Sequence, residues 1–166
     1  MNATAPPTPI DATVPAFFVD GQPATSEDFI AVACDPRRSV AVEACAGSGK
    51  TWMLVARIVR ALLDGAPPAS ILAITFTRKA AGEMAQRLRD DLASLANTPL
   101  PERVEALVLR GLPRAQATAA AAQLPDVAAQ ALGGARGVQV RTIHAWLGGL
   151  LRAAPKAFLL RHGVPE

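Results

Sequence analysis

VEACAGSGKTWML, residues 42–54, decides how the chain is read. It sets two glycines, a serine and one of the chain's three lysines between two apolar runs of different period. Before it, SVAVEA (39–44) has the β-branched, apolar character of a buried strand. After it, KTWMLVARIVRALLDG (50–65) carries apolar residues at helical spacing and stops at Gly65. Strand, glycine-rich turn and helix in that order form a setting that holds phosphate. Glycines let the backbone curl until successive N–H groups point at phosphate oxygens. The helix start adds its positive dipole end. Ala46, Gly47, Ser48, Gly49, Lys50 and Thr51 are therefore the candidate nucleotide-binding residues. Lys50 is placed to reach the β- and γ-phosphates, and the Thr51 hydroxyl to ligate Mg²⁺. The pattern G-x-x-x-x-G-K-[ST] asks for glycine where this chain has Ala44, whose methyl is small. The bland competitor is a glycine-rich turn that starts a helix and binds nothing. Cys45, inside the loop, reads as a small filler rather than a redox gate.

Outward from the loop, strand and helix alternate. TSEDFIAVACD (25–35) has a Thr25-x-x-Asp28 cap ahead of apolar positions, and predicts a short helix. ILAITF (71–76) is a second strand, followed by a helix over about 78–95 capped by Thr77. Residues 98–136 are rich in alanine and leucine and punctuated by Pro99, Pro101, Pro113 and Pro125, which suggests several short helices. GVQVRT (137–142) is a third strand, and IHAWLGGLLRAAP (143–155) a last helix with Trp146 and Leu150 on its core side. This alternation predicts an α/β fold, a parallel sheet with right-handed crossovers and flanking helices, interrupted by a helical insertion over about 98–136.

Composition sets the outer bounds. A chain of 166 residues, 51% hydrophobic, has room for one core and is not disordered throughout. Its net charge is only +3, but the basic side is nearly all arginine, which grips phosphate and makes nucleic acid a reasonable partner. Cys34 and Cys45 have no metal-ligand spacing and are read as reduced thiols of a cytosolic (cytoplasmic) protein. Residues 1–24 lack a basic start and a long apolar run, so they are read as a disordered or loosely packed leader rather than a signal peptide. No run is long enough to span a membrane.

AGSGKT (46–51), ILAITFTRKAAGEM (71–84) and VRTIHAWLGGLLR (140–152) occur in an order that resembles the first three motifs of the UvrD/RecB group of superfamily 1 DNA helicases. The middle block is similar to that group's TFTNKAAxEM signature and the last to its TFHS motif. The resemblance covers residues 39–152. It implies that 25–166 is the N-terminal part of a RecA-like motor domain, a P-loop NTPase, that binds Mg-ATP and tracks single-stranded DNA. By position it implies that Thr75, Phe76, Thr77, Arg78, Thr142 and His144 lie along the DNA. The chemistry agrees: Phe76 can stack on a base, threonine hydroxyls can meet phosphates, and Arg78 and Lys79 bring charge to a helix start. Core burial of Phe76 is an equally good reading of an apolar strand. The long helical gap before the third motif is more like the RecB and AddA nuclease-helicase subunits than Rep and UvrD. Such a branch implies a partner subunit or further motor domains. Where the family carries an adenine-reading glutamine, this chain has EDFIA (27–31), and its nearest upstream glutamine is Gln22.

Hydrolysis needs a Walker B carboxylate and a water-activating acid, which in the family follow the third motif. The chain reaches Glu166 without them. Asp20, after an apolar run, precedes the loop; Glu43 reads as strand-end structure, and Asp90 and Asp91 as a solvated helix face. The sequence therefore reads as an opening segment that binds ATP and DNA without a complete hydrolytic site, with an apolar face or sheet edge left exposed. A non-hydrolysing nucleotide-binding interaction module is the alternative; a small kinase would need a lid and acceptor site that are not found.

Overall fold

The structure, a computed structural model, describes residues 16–45, 47–133 and 137–154. Ala46 of the candidate cradle lies outside the described residues. Phe17–Val19 (β1) and Gln22–Ala24 (β2) form an antiparallel hairpin. The two-residue turn is Asp20-Gly21, both with positive φ (51° and 77°), the conformation that an Asp-Gly hairpin turn favours. Asp20 is thus a turn residue, not the end of a metal-binding strand. Phe17 packs its ring 5.2 Å from that of Phe29. Residues 17–24, read from the sequence as the end of a leader, are fixed by this contact and the hairpin ladder.

Helix α1, Ser26–Ala33, begins as its cap predicts: the Thr25 hydroxyl accepts from the Asp28 N–H at 3.0 Å and donates to the Asp28 carboxylate at 2.8 Å. The expected strand over 39–44 is not formed. Ser39, Val40, Ala41, Glu43 and Ala44 are exposed, and no strand among the described residues pairs with them. A strand is stable only with a ladder partner, which local β propensity cannot supply. Helix α2, Lys50–Leu63, follows the loop. It ends at Gly65, φ 89°, where the N–H groups of Gly65 and Ala66 close onto the carbonyls of Leu62 and Ala61, both at 3.0 Å.

A single 3₁₀ turn at Pro68–Ser70 leads into β3, Leu72–Thr75. Three helices then separate it from β4, Gln139–Thr142: α3 (Arg78–Asn97), α4 (Leu100–Val108) and α5 (Arg114–Gly133). The two strands pair in parallel, from Leu72 opposite Gln139 to Thr75 opposite Thr142. Helix α6, Ile143–Ala153, closes the described chain. Among the described residues the parallel sheet therefore has two strands, and the fold is α/β with small sheets.

The core is helical. Val55, Ile58, Val59 and Leu62 of α2 meet Leu88, Leu92 and Leu95 of α3, Val104 and Leu107 of α4, and Leu124 of α5. Helix α5 lays Ala117, Ala121 and Ala128 along the same face, and these small side chains let its backbone approach closely. A second, smaller cluster joins Ala33, Cys34, Met53 and Ala56. The predicted exposed apolar surface is present: Leu72 and Ile74 of β3 are exposed, as are Leu147, Leu150 and Leu151 of α6. Helix α6 fully buries none of its residues, so Trp146 is half-buried rather than a core residue. No helix among the described residues is long and apolar enough to cross a membrane.

Pro125 does not break the insertion into short helices; it lies inside the 20-residue α5. A proline there removes the N–H that would bond the carbonyl four residues earlier, at Ala121. The Arg103 guanidinium supplies that bond at 2.8 Å, and also reaches the carbonyls of Leu95, Ala96 and Thr98 at 2.9–3.0 Å. One side chain thus ends α3 and mends α5. Arg57 and Arg60 likewise donate to main-chain carbonyls of the α1 region. These arginines therefore staple the interior rather than offer their charge to a partner.

Replacing Arg103 with methionine is expected to lower stability by about 3 kcal/mol in urea unfolding, since several buried carbonyls lose a charged donor. Adding Pro125→Ala, which returns a backbone N–H to Ala121, should recover part of that loss.

Cys34 is fully buried, with its thiol 3.7 Å from the Met53 carbonyl. Burial pushes its pKa up, against the lowering pull of Arg60 and Arg57. The unfolded chain's thiol ionises near 9.0, so above that pH the folded protein keeps a proton that the unfolded chain releases. Stability should accordingly fall as pH rises from about 8 to about 10. Urea midpoints should show that decline, and Cys34→Ala should flatten it.

Candidate functional site

Three of the helices start under a threonine. Thr25 caps α1, Thr77 accepts from the Ala80 N–H at 3.1 Å, and Thr142 accepts from the Ala145 N–H at 3.2 Å. Helix α2 is different. Its N-cap is Gly49, φ 84°, which offers no side-chain acceptor. Gly47, φ 80°, also takes the left-handed conformation, which a residue with a Cβ adopts only under strain. The first N–H groups of α2 are therefore left for another acceptor.

Lys50 points back into this loop. Its ammonium donates to the carbonyls of Ala44 (2.6 Å) and Cys45 (2.5 Å) and lies 3.5 Å from the Ser48 hydroxyl. Ser48 in turn donates to the Cys45 carbonyl at 2.7 Å. The donor set suits a phosphate chain: unshared helix N–H groups, a lysine ammonium and a serine hydroxyl within one turn of backbone. Thr51, half-buried on the first turn of α2, is the residue that would hold Mg²⁺ beside it. Cys45 is exposed, so it fills no space in the core.

Beside Lys50 is a hollow of about 460 Å³ walled by Val40, Val42, Met53, Leu54 and Arg57. Its size and apolar lining suit a flat ring system. The sequence did not single out these residues. Val40 and Val42 look like strand core and Leu54 like helix core, and only the missing ladder leaves them open. Gln22 sits on exposed β2 and is not part of this wall.

The second site lies at the carboxyl ends of β3 and β4. Because Thr75 pairs with Thr142, residues far apart in sequence come to one edge. Phe76, Arg78, Thr142, His144 and Ala145 line a cleft of about 400 Å³ there. Phe76 is 83% exposed, which excludes the core reading. His144 and Arg78 are exposed on the first turns of α6 and α3. Thr77 is exposed and Thr142 is buried at the cleft wall; each spends an acceptor lone pair on its cap. Thr75 is half-buried, and Lys79 faces Glu83 at 3.9 Å.

The acids behave differently from one another. Glu43 is exposed, and Asp90 accepts from Gln86 at 2.7 Å. Asp91 is not on a free solvated face: it binds buried Arg110 through both oxygens, at 2.6 and 2.8 Å. Among the described residues no three histidine, cysteine or acidic side chains gather as a metal cluster.

Among known proteins, an ATP-dependent helicase/nuclease subunit of Lactobacillus gasseri is 44% identical over 59 residues, 36% of this chain and 5% of that one. Its namesake in Streptococcus sanguinis is 41% identical over 81 residues, 47% of this chain and 7% of that one. The Streptococcus agalactiae protein of the same name is 54% identical over 50 residues, 30% of this chain and 4% of its own length. The chain thus spans only a small fraction of these relatives. Their name agrees with the nuclease-helicase branch that the helical insertion suggested. No solved structure matches. The family described as UvrD/REP helicase N-terminal domain matches residues 24–163, and the chain belongs to that family.

Proposed function

We propose that this chain is the ATP- and single-stranded-DNA-binding segment of an ATP-dependent DNA helicase that works in recombination or repair. The observation that carries the proposal is the contrast among helix starts. Three are closed by a threonine hydroxyl and α4 follows Pro99 with no side-chain cap, whereas α2 opens on left-handed glycines with Lys50 folded over them. Gly47, Ser48, Gly49, Lys50 and Thr51, with Ala46, bind the triphosphate, and Thr51 holds Mg²⁺. The nucleotide, when bound, supplies the anhydride whose cleavage drives the motor. Lys50 leaves the loop carbonyls to meet phosphate, and the hollow at Val40, Val42 and Leu54 takes the base.

The strand-end cleft is the DNA track. Phe76 stacks on a base, Arg78 and His144 face the backbone, and Thr75, Thr77 and Thr142 offer hydroxyl donors to phosphates. Two helix starts, α3 and α6, add positive dipole ends to the same edge. In this reading β3 and β4 belong to a larger RecA-like parallel sheet, and a partner subunit or further motor domains cover Leu72 and Ile74. Among the described residues, no carboxylate lines the hollow beside Lys50. That favours a second, narrower role for the 166-residue chain alone, as a nucleotide-binding module without turnover.

Titration of the purified chain with Mg-ATP tests the first part. Lys50→Ala should weaken binding at least ~10-fold, the loss of one charge-assisted contact set, and neither protein should release phosphate. Turnover that depends on Lys50 would show that an acid of this chain completes the site. Equal binding by both proteins would sink the nucleotide assignment.

For the DNA track, Phe76→Ala should weaken binding of an oligothymidylate by roughly 5- to 100-fold, as loss of a stacked base predicts. Arg78→Ala should instead reduce the salt dependence by about one phosphate contact. Unchanged affinity in the Phe76 variant would remove the cleft from the DNA path.

A further inference from the structure

Arg110 lies at the junction of α4 and α5, well away from both candidate sites in sequence, and is 6% exposed. Its backbone is seated firmly. The Arg110 carbonyl accepts from Arg60 of α2 at 3.3 Å. Gly111, φ 82°, presses on α1 so closely that a Cβ there would stand 2.7 Å from the Ala31 Cα. From this anchor the guanidinium reaches Asp91 of α3 with one nitrogen, at 2.6 and 2.8 Å, and the Ala106 carbonyl with another, at 2.7 Å. Its carbon stands 5.8 Å from the ring centroid of Trp52. Nε has no hydrogen-bond partner among the described residues.

Stability alone accounts poorly for this arrangement. A buried ion pair is commonly matched or bettered by apolar residues of similar volume, and an unpaired buried donor adds a penalty. What the guanidinium does that a methionine cannot is hold an aromatic face while one of its nitrogens is fixed by a carboxylate and another by a carbonyl. Trp52 directly follows Thr51. Near its ring lies a groove of about 360 Å³ between α2 and α3, bordered by Val55, Arg87 and Ser94. Trp52 itself borders that groove, and it also packs against the smaller cluster of Ala33, Cys34, Met53 and Ala56.

We infer that Arg110 is a positioning residue: through Trp52 it fixes the first turn of α2, and with it Lys50 and Thr51, against Asp91 of α3. The helical insertion is then a buttress for the phosphate loop. The consequence for nucleotide rests on the ATP assignment above; the fixing of the helix turn does not.

The test uses the whole chain carrying Arg110→Met together with Asp91→Leu, which removes both buried charges and so avoids stranding either. The double variant should keep a urea midpoint close to that of the unchanged protein. Amide hydrogen exchange at Met53–Val55 should nevertheless quicken roughly 10-fold, the mark of a loosened local turn, with exchange in α5 unchanged. Mg-ATP affinity should drop by about the same factor. Arg110→Lys, which keeps the charge but loses the planar fork, should show the same two changes and serves if the double variant folds poorly. Unchanged exchange at Met53–Val55 overturns the inference. So does quickened exchange with full nucleotide affinity, because Arg110 would then brace a helix without positioning the loop. If the unchanged protein binds no nucleotide and Lys50→Ala is indistinguishable from it, the ATP assignment fails and exchange alone decides the role of Arg110.

Discussion

A parallel strand pair cannot be closed by a tight turn; the chain must leave the sheet, cross over it and return. In this protein β3 and β4 make that pair through four residues each, and α3, α4 and α5 are the crossover. Everything at the strand-end cleft depends on the ladder. Its last register position sets Thr75 beside Thr142, and from there Phe76 and Arg78 leave one strand as His144 leaves the other. A slip of one residue would turn each strand's side chains to the opposite face and carry Thr142 away from Thr75. The crossover helices make the short ladder tenable by burying the main apolar cluster of the chain against α2.

Helix starts divide the labour. Each α-helix leaves unshared N–H groups at its beginning, and burial or function must answer for them. Threonine answers for α1, α3 and α6 at a cost of one lone pair, and the α6 cap, Thr142, also borders the cleft. At α2 the glycines at 47 and 49 decline that solution and leave the N–H groups unclaimed. The same backbone chemistry stabilises one set of helices and, in the proposed reading, leaves α2 ready for an anion.

Arginine carries a different burden from the one its abundance suggested. Arg103 satisfies four carbonyls, one of them orphaned by Pro125. Arg57 holds the carbonyls of Ala33, Asp35 and Arg38. Arg110 pairs with Asp91 inside the protein. A planar fork with several donors is suited to gathering carbonyls where helices end. Net charge cannot distinguish such a residue from one at a surface cleft, and among the described residues Arg78 is the arginine that lines the cleft.

Local signals were legible without the structure. Thr25, Thr77 and Gly65 marked helix ends, since a cap is a matter of a few neighbouring residues, and the glycines around Lys50 marked the left-handed loop before α2 for the same reason. The order of the three motifs pointed to the family that the chain belongs to. What the sequence could not decide was anything that needs a distant partner. SVAVEA has strand propensity, yet no ladder forms among the described residues, and the hollow beside Lys50 opens as a result. Pro125 looks like a helix break until Arg103, far back in the chain, supplies the missing donor. Asp91 looks solvated until Arg110 arrives. Phe76 could have been core or surface on its own merits, and the exposed end of β3 made it surface. Short-range chemistry fixes caps and loops because the interacting groups are fixed by the covalent chain. Pairing and burial depend on which surfaces meet, and that is settled only when the chain has folded.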